Sequence, residues 1–282
     1  MLNQYNKGVT LVELMLAMVI GIVILGGVMS LFISSRDTQR VSEDQVQLAS
    51  DSRFVMETIG YDLKHAGVFG PNNMPATLVC GPYNVCPTAL PLAVADCANG
   101  WYIDLDLPMV ASNDSAMIDG ADYSTSCASN GYKAGTDILG VHYADPAKLT
   151  DTLLAANVAY VRSNTTGGGL FVGSTIPDYK DLTKLWEAQH SWHPVANPEG
   201  PTSNHKLVGH LYYVSDYTDV VGDGIPSLRR TELGEGPAMT DAVLLSGVED
   251  MQLQFGITTA NNPAEAPFAD TYVNASNIPV IP

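Results

Sequence analysis

Positive charge is scarce: 13 Lys and Arg stand against 30 Asp and Glu, for a formal charge of -17. No basic face exists to neutralise phosphates, which argues against a nucleic-acid binder, and the same deficit argues against adhesion to anionic lipid. Catalytic signatures are missing as well. There is no G-x-S-x-G elbow, no Walker A loop and no H-E-x-x-H helix. Cysteine is limited to Cys80, Cys86, Cys97 and Cys127, with no C-x-x-C pair and no flanking His at zinc spacing. One region lacks charge of either sign almost entirely: between Val9 and Ile33 the sole ionisable side chain is Glu13. A carboxylate inside so apolar a run is costly to keep, so a functional role is the first reading of it.

The 282 residues have room for one large domain or two ordinary ones, and the chain beyond Ile33 is long enough for a core without metal or cofactor. Three readings compete for the N-terminus. A secretory signal peptide would have a shorter apolar core and a small-residue cleavage site, for which Val28-Met29-Ser30 is a poor substitute. A plain signal anchor accounts for the length but gives Glu13 no purpose. The third reading is carried by Lys7-Gly8-Val9-Thr10-Leu11-Val12-Glu13-Leu14. A glycine just before the apolar run and an acid at its fifth residue resemble the processing signature of type IV prepilins. The resemblance implies cleavage between Gly8 and Val9 by a prepilin peptidase, then N-methylation of Val9. Family members usually carry Phe or Met where this chain has Val9.

Cleavage would expose an amine on Val9, and Glu13 of another subunit could neutralise it, fixing register as helices bundle. The rival reading of Glu13 is a residue at the membrane edge whose carboxyl reaches the headgroups. Gly21, Gly26 and Gly27 suit close helix approach or simply tolerate flexibility. Major pilins often place a helix-breaking proline near the position of Ser30; this chain lacks it, so local melting of the helix on assembly is not implied. The basic Lys7 and the slightly acidic stretch Arg36 to Asp44 orient the N-terminus to the cytoplasm.

Helical periodicity continues past Ile33. Val41, Leu48, Val55, Ile59 and Leu63 recur at seven or four and predict one apolar face, with Lys64 and His65 in the last turn and Gly67 as the cap. A helix from Val9 to His65 would be about 85 Å long. Beyond it, short β-like runs alternate with turns: Ile138 to Tyr143, Val158 to Arg162, Leu207 to Val214 and Val243 to Leu245. The clearest is the alternation of Met251, Leu253, Phe255 and Ile257, read as a half-buried strand. The expected fold class is therefore α+β, with a long N-terminal helix packed on a mostly antiparallel sheet. Residues 68–135 read as a loop-rich segment stapled by disulfides in an oxidising compartment. Four cysteines allow three connectivities. Cys80–Cys86 with Cys97–Cys127 is favoured because both loops are local, and free thiols are the alternative.

Other candidates are weaker. Asp216, Asp219 and Asp223 with Gly224 resemble a calcium loop but lack its alternate-residue spacing and closing Glu, so an acidic turn is the simpler reading. His190 and His193 flank Ser191-Trp192 and make a poor metal site. Gly167-Gly168-Gly169 reads as a turn, and Trp101, Trp186 and Trp192 as core or loop anchors.

Further along, Ser52-Arg53-Phe54 through Gly70 resembles the helix exit of PilW-type minor pilins. Tyr212-Tyr213-Val214, Gly224 through Arg230 and Val248 through Gly256 are similar to that family's sheet segments. The resemblance implies a leader over 1–8, a membrane and filament-core half-helix over 9–33, a soluble half over 34–67 and a globular domain over 68–282. Family members usually carry a further strand after the position of Pro282, so a truncated C-terminus with an open sheet edge is one expectation. Also implied is a non-enzymatic subunit without cofactors, held in the bacterial inner membrane before it joins the pilus and helps prime assembly near the tip. Its partners would be other minor and major pilins, the prepilin peptidase, the assembly platform and a tip adhesin; adhesion and twitching motility would depend on it. The rivals are a minor pseudopilin of type II secretion and a membrane-anchored periplasmic binding protein or hydrolase.

Overall fold

The computed structural model describes residues 8–72, 78–79, 97, 101–103, 105, 107–165, 167–173, 203–235, 239–258 and 269–277. The chain divides into two compact units, Met1–Met56 and Glu57–Pro282.

The first unit is helical. Helix α1 runs over Leu11–His65, 55 residues, and its last turns belong to the second unit. From Gly8 to Ser50 every residue but Gly21 is exposed, including Leu11, Met15, Ile22, Leu25 and Phe32. The N-terminal stretch is long and apolar enough to cross a membrane, and none of it is buried. An apolar helix without a polar face does not belong in water. Past Ile33 the surface becomes polar, with i to i+4 contacts such as Gln47 Nε2 to Asp51 Oδ1 at 2.8 Å.

The second unit is built on an eight-stranded sheet. In chain order the strands are β1 Leu78–Val79, β2 Met109–Ala111, β3 Met117–Ile118, β4 Ala121–Asp122, β5 Leu139–Ala144, β6 Ala159–Ser163, β7 Gly168–Val172, β8 Ser203–Ser215, β9 Ser227–Leu233, β10 Met239–Ser246, β11 Phe255–Ile257 and β12 Thr271–Val273. The main sheet has the order β1-β7-β6-β8-β5-β2, with β9 joined to β8 and β10 to β9. Strand β8 is its spine. Its first four residues pair with β6, its middle six with β5 and its last six with β9, all antiparallel. Among the described strands only β1 and β7 pair in parallel. Two small hairpins, β3-β4 and β11-β12, stand apart.

Alternation along β5 and β8 sends side chains to two cores. On one face Leu207, Leu211 and Tyr213 join Trp101, Tyr102, Leu105 and Val161. On the other, Leu139, Val141 and Tyr212 meet Ile59 and Ala66 of α1 together with Met251 and Leu253. Every residue of β5 is buried, as expected of a strand covered on both faces. Gly140 lets the first core close: a Cβ there would lie 2.7 Å from Val110 Cγ2 and 2.9 Å from the Trp101 ring.

Three expectations need correction. The helix face on the sheet is set by Ile59, Asp62 and Ala66, at i, i+3 and i+7, whereas Leu63 is 42% exposed and Leu48 67% exposed. The alternation from Met251 to Ile257 does half-bury every second residue, but only Phe255–Ile257 is strand. Residues 251–254 are held instead by Asp137, whose backbone N–H donates to Met251 O at 2.9 Å while its Oδ2 accepts from Leu253 N at 2.6 Å. Finally, Gly168 and Gly169 open β7, and the preceding turn is closed by Asn164, whose Oδ1 accepts from Gly167 N at 2.8 Å.

His142 on β5 is fully buried, stacked on Trp101 at 5.1 Å, and neither ring nitrogen has a hydrogen-bond partner among the described residues. Burial pushes its pKa down from 6.5 to about 3. The native state therefore refuses a proton that the unfolded chain accepts, so stability falls as pH drops below 6.5 and keeps falling toward about 3. Thermal unfolding of the detergent-solubilised chain should show His142→Phe gaining on the wild type by about 2–3 kcal/mol between pH 6.5 and 4.5. Parallel pH profiles for the two proteins would contradict this. Gly140→Ala should cost about 1–3 kcal/mol in the same assay, through its clash with Val110 and Trp101.

Candidate functional site

The head of α1 is built by Thr10 and Glu13. Thr10 N–H donates to Glu13 Oε2 at 2.9 Å, Thr10 Oγ1 donates to the same oxygen at 3.0 Å, and Glu13 N–H donates to Thr10 Oγ1 at 3.3 Å. This reciprocal pattern is a capping box, in which Thr at the N-cap and Glu three residues on satisfy each other's orphan backbone donors. It fixes where the helix begins and places a carboxylate where the helix dipole favours one. Oε1 makes no hydrogen bond among the described residues and stays open to a cation from outside. Gly8 and Val9 precede the box, Val9 being 75% exposed and Gly8 having nothing within 4 Å of a notional Cβ. Among the described residues nothing crowds the Gly8–Val9 bond.

At the other end of α1 lies a residue that the sequence pattern does not single out. Asp62 is 3% exposed. Its Oδ1 accepts from the Tyr143 hydroxyl at 2.8 Å, and its Oδ2 accepts from His210 Nδ1 and the Tyr212 hydroxyl, each at 2.5 Å. Tyr143 is on β5, and His210 and Tyr212 are on β8, so one carboxylate ties the last turns of α1 to both strands. Burial alone would push the Asp62 carboxyl up. The hydrogen bond and charge of His210, with the Tyr212 and Tyr143 hydroxyls, outweigh it and hold the carboxyl below 3.8. Both phenols are pushed up by burial and by the carboxylate they face.

Two family models match the chain. One is the prokaryotic N-terminal methylation motif, over residues 3–29, which contains the capping box. The other is Type IV Pilus-assembly protein W, over residues 211–281, which contains Tyr212 and strands β9 to β12. Over these two segments the chain is similar to the PilW family and to prepilins. Searches of curated proteins and of solved structures found no match. The prepilin motif implies processing by prepilin peptidase and handling by the pilus assembly machinery, and the PilW family is typically structural rather than enzymatic.

The remaining candidates that the structure describes take structural parts. Cys97 and Cys127 form a disulfide, their Cα atoms 4.9 Å apart and both side chains in the main core. Thr231 Oγ1 donates to Cys127 O at 2.8 Å and ties that staple to β9. Cys80, Cys86, Trp186, His190, Trp192 and His193 lie outside the described residues. Trp101 is 3% exposed, with Nε1 donating to Leu107 O at 3.1 Å. Asp223, a candidate calcium ligand, is occupied otherwise: its carboxylate accepts backbone N–H groups from Thr218, Asp219, Val220 and Ile225. Those bonds hold the carboxyl below its usual range. Among the described residues no group of three or more metal-ligating side chains forms.

Asp62→Ala leaves His210 and two buried phenols without their acceptor and should lower stability by about 3 kcal/mol. Hydrogen exchange should show the last turns of α1 opening while the β6–β7 pair stays protected. Uniform exchange across both would count against the anchor. In the wild type this stabilisation is complete above pH 3.8 and is lost as pH falls through the lower native value.

Proposed function

We propose that the chain is a minor pilin of the type IV pilus, cut between Gly8 and Val9, methylated on Val9, and held in the bacterial inner membrane with its N-terminus in the cytoplasm before it enters the filament. The observation that carries this reading is the capped head of α1: a single carboxylate, half engaged by Thr10, at the start of an apolar helix exposed on all sides. In water or lipid the capping box keeps the helix start intact. In a bundle, the free Oε1 can meet the α-amine of a neighbouring subunit without breaking the box. The pair then acts on register, because a subunit one step out leaves both charges unmatched.

Residues 1–8 are the leader, 9–33 the membrane and filament-core half of the helix, 34–67 its soluble half and 68–282 the β-rich domain. Other minor and major pilins, the assembly platform and a tip adhesin are its partners. It primes assembly, sits near the pilus tip, and supports adhesion and twitching motility. The PilW match over 211–281 favours the pilus over a secretion pseudopilin.

Mass spectrometry of the protein recovered from membranes should find N-methylated Val9 as the first residue. Glu13→Ala should be cleaved as the wild type is, yet enter pili at least about ten-fold less, a deficit equivalent to about 1.4 kcal/mol. Normal incorporation of the alanine variant would rule out the register role, and a chain retaining residues 1–8 would rule out the prepilin reading.

A further inference from the structure

The loop between β8 and β9, residues 216–226, has no part in the sheet or in the helix anchor, yet it is closely held by its own hydrogen bonds. The Asp223 carboxylate gathers Thr218 N at 3.1 Å, Asp219 N at 3.1 Å, Val220 N at 3.4 Å and Ile225 N at 2.9 Å. Thr218 Oγ1 donates to Ile225 O at 2.8 Å across the loop, and Asp223 N–H donates to Val220 O at 2.9 Å. Gly222 and Gly224 take the positive φ values, +86° and +72°, that the two bends require. At the base, Arg229 donates to Thr218 O at 2.8 Å and lies over the Tyr217 ring at 5.5 Å.

This rigid frame holds apolar side chains out in solvent. Val220 is 68% exposed, Val221 78% and Ile225 49%. The hydrogen bonds that order the loop are made by backbone groups, Thr218, Asp223, Ser227 and Arg229. An ordered loop presenting adjacent valines has already lost the conformational freedom that binding would otherwise cost it. Asp219, next to the tip, is exposed as well, in a chain of net charge -17. That charge disfavours an anionic membrane and favours a protein surface with cations at its rim. The loop also lies inside the segment that matches the PilW model.

We propose that the Val220-Val221 tip docks into an apolar cleft, rimmed by Lys or Arg, on another pilus subunit. The inference rests on the minor-pilin reading and adds to it the contact by which the globular unit recognises a neighbour. In a piliated strain lacking its native copy, the full-length chain carrying Val220→Asp and Val221→Asp should reach wild-type membrane levels and unfold at the wild-type temperature. Surface pili should nevertheless fall at least ten-fold, toward the deletion level. If the aspartates lower the unfolding temperature, Val220→Thr with Val221→Thr takes their place, with the same outcomes. A photo-crosslinking residue at position 221 should join the chain to a pilin whose linked peptide is apolar and borders Lys or Arg. Normal piliation by the double variant, or crosslinks confined to lipid, would overturn the proposal. Pili that persist when the whole chain is deleted would instead count against the minor-pilin reading, and the crosslinked peptide would still decide the loop.

Discussion

A single buried carboxylate joins helix to sheet. Asp62 sits in the last turns of α1, and its oxygens collect donors from Tyr143, His210 and Tyr212 on the two central strands. Apolar contacts of Ile59 and Ala66 bring the helix end to the sheet, but apolar contacts tolerate sliding. Three directed hydrogen bonds do not, because a shift of one residue strands a charge in a dry site. The anchor thus sets the rotation and height of the helix exit against β5 and β8.

The sheet is arranged so that this anchor is held from behind. Strand β8 carries its alternation through three different partners, and β5 is enclosed on both faces. Behind β5 lie Trp101, fitted over Gly140, and the Cys97–Cys127 staple. His142 belongs to the same layer, and among the described residues its two ring nitrogens have no hydrogen-bond partner. There, close packing against Trp101 and Phe69 prevails over polar satisfaction.

How much can be read from the chain alone depends on the range of the interactions. The head of α1 is local: glycine, apolar run and acid lie within a few residues. The Thr10-x-x-Glu13 cap is equally local, although the charge of Glu13 in an apolar run draws the eye before its capping role does. Strands β5, β6 and β8 announce themselves by apolar alternation, with boundaries displaced by a residue or a few. Asp62 gives no such signal, since its partners lie 81, 148 and 150 residues away and an acid late in a helix reads as surface. Periodicity favours Leu63 for the packed face, yet the polar contact at Asp62 turns the helix so that Leu63 looks outward. The run Met251 to Gln254 has strand-like alternation, but the Asp137 side chain takes the place of a neighbouring strand. Local pattern gives burial there and misses pairing.

The bare apolar stretch from Leu11 to Ile33 has a consequence of its own. With no face suited to water, it has to be clad at every moment of the molecule's life, by acyl chains or by sister helices. Leaving one cladding for the other is a transfer between two oils, with little hydrophobic gain or loss to drive it either way. Direction must come from elsewhere; on the proposed minor-pilin reading it comes from the few polar groups at the helix mouth.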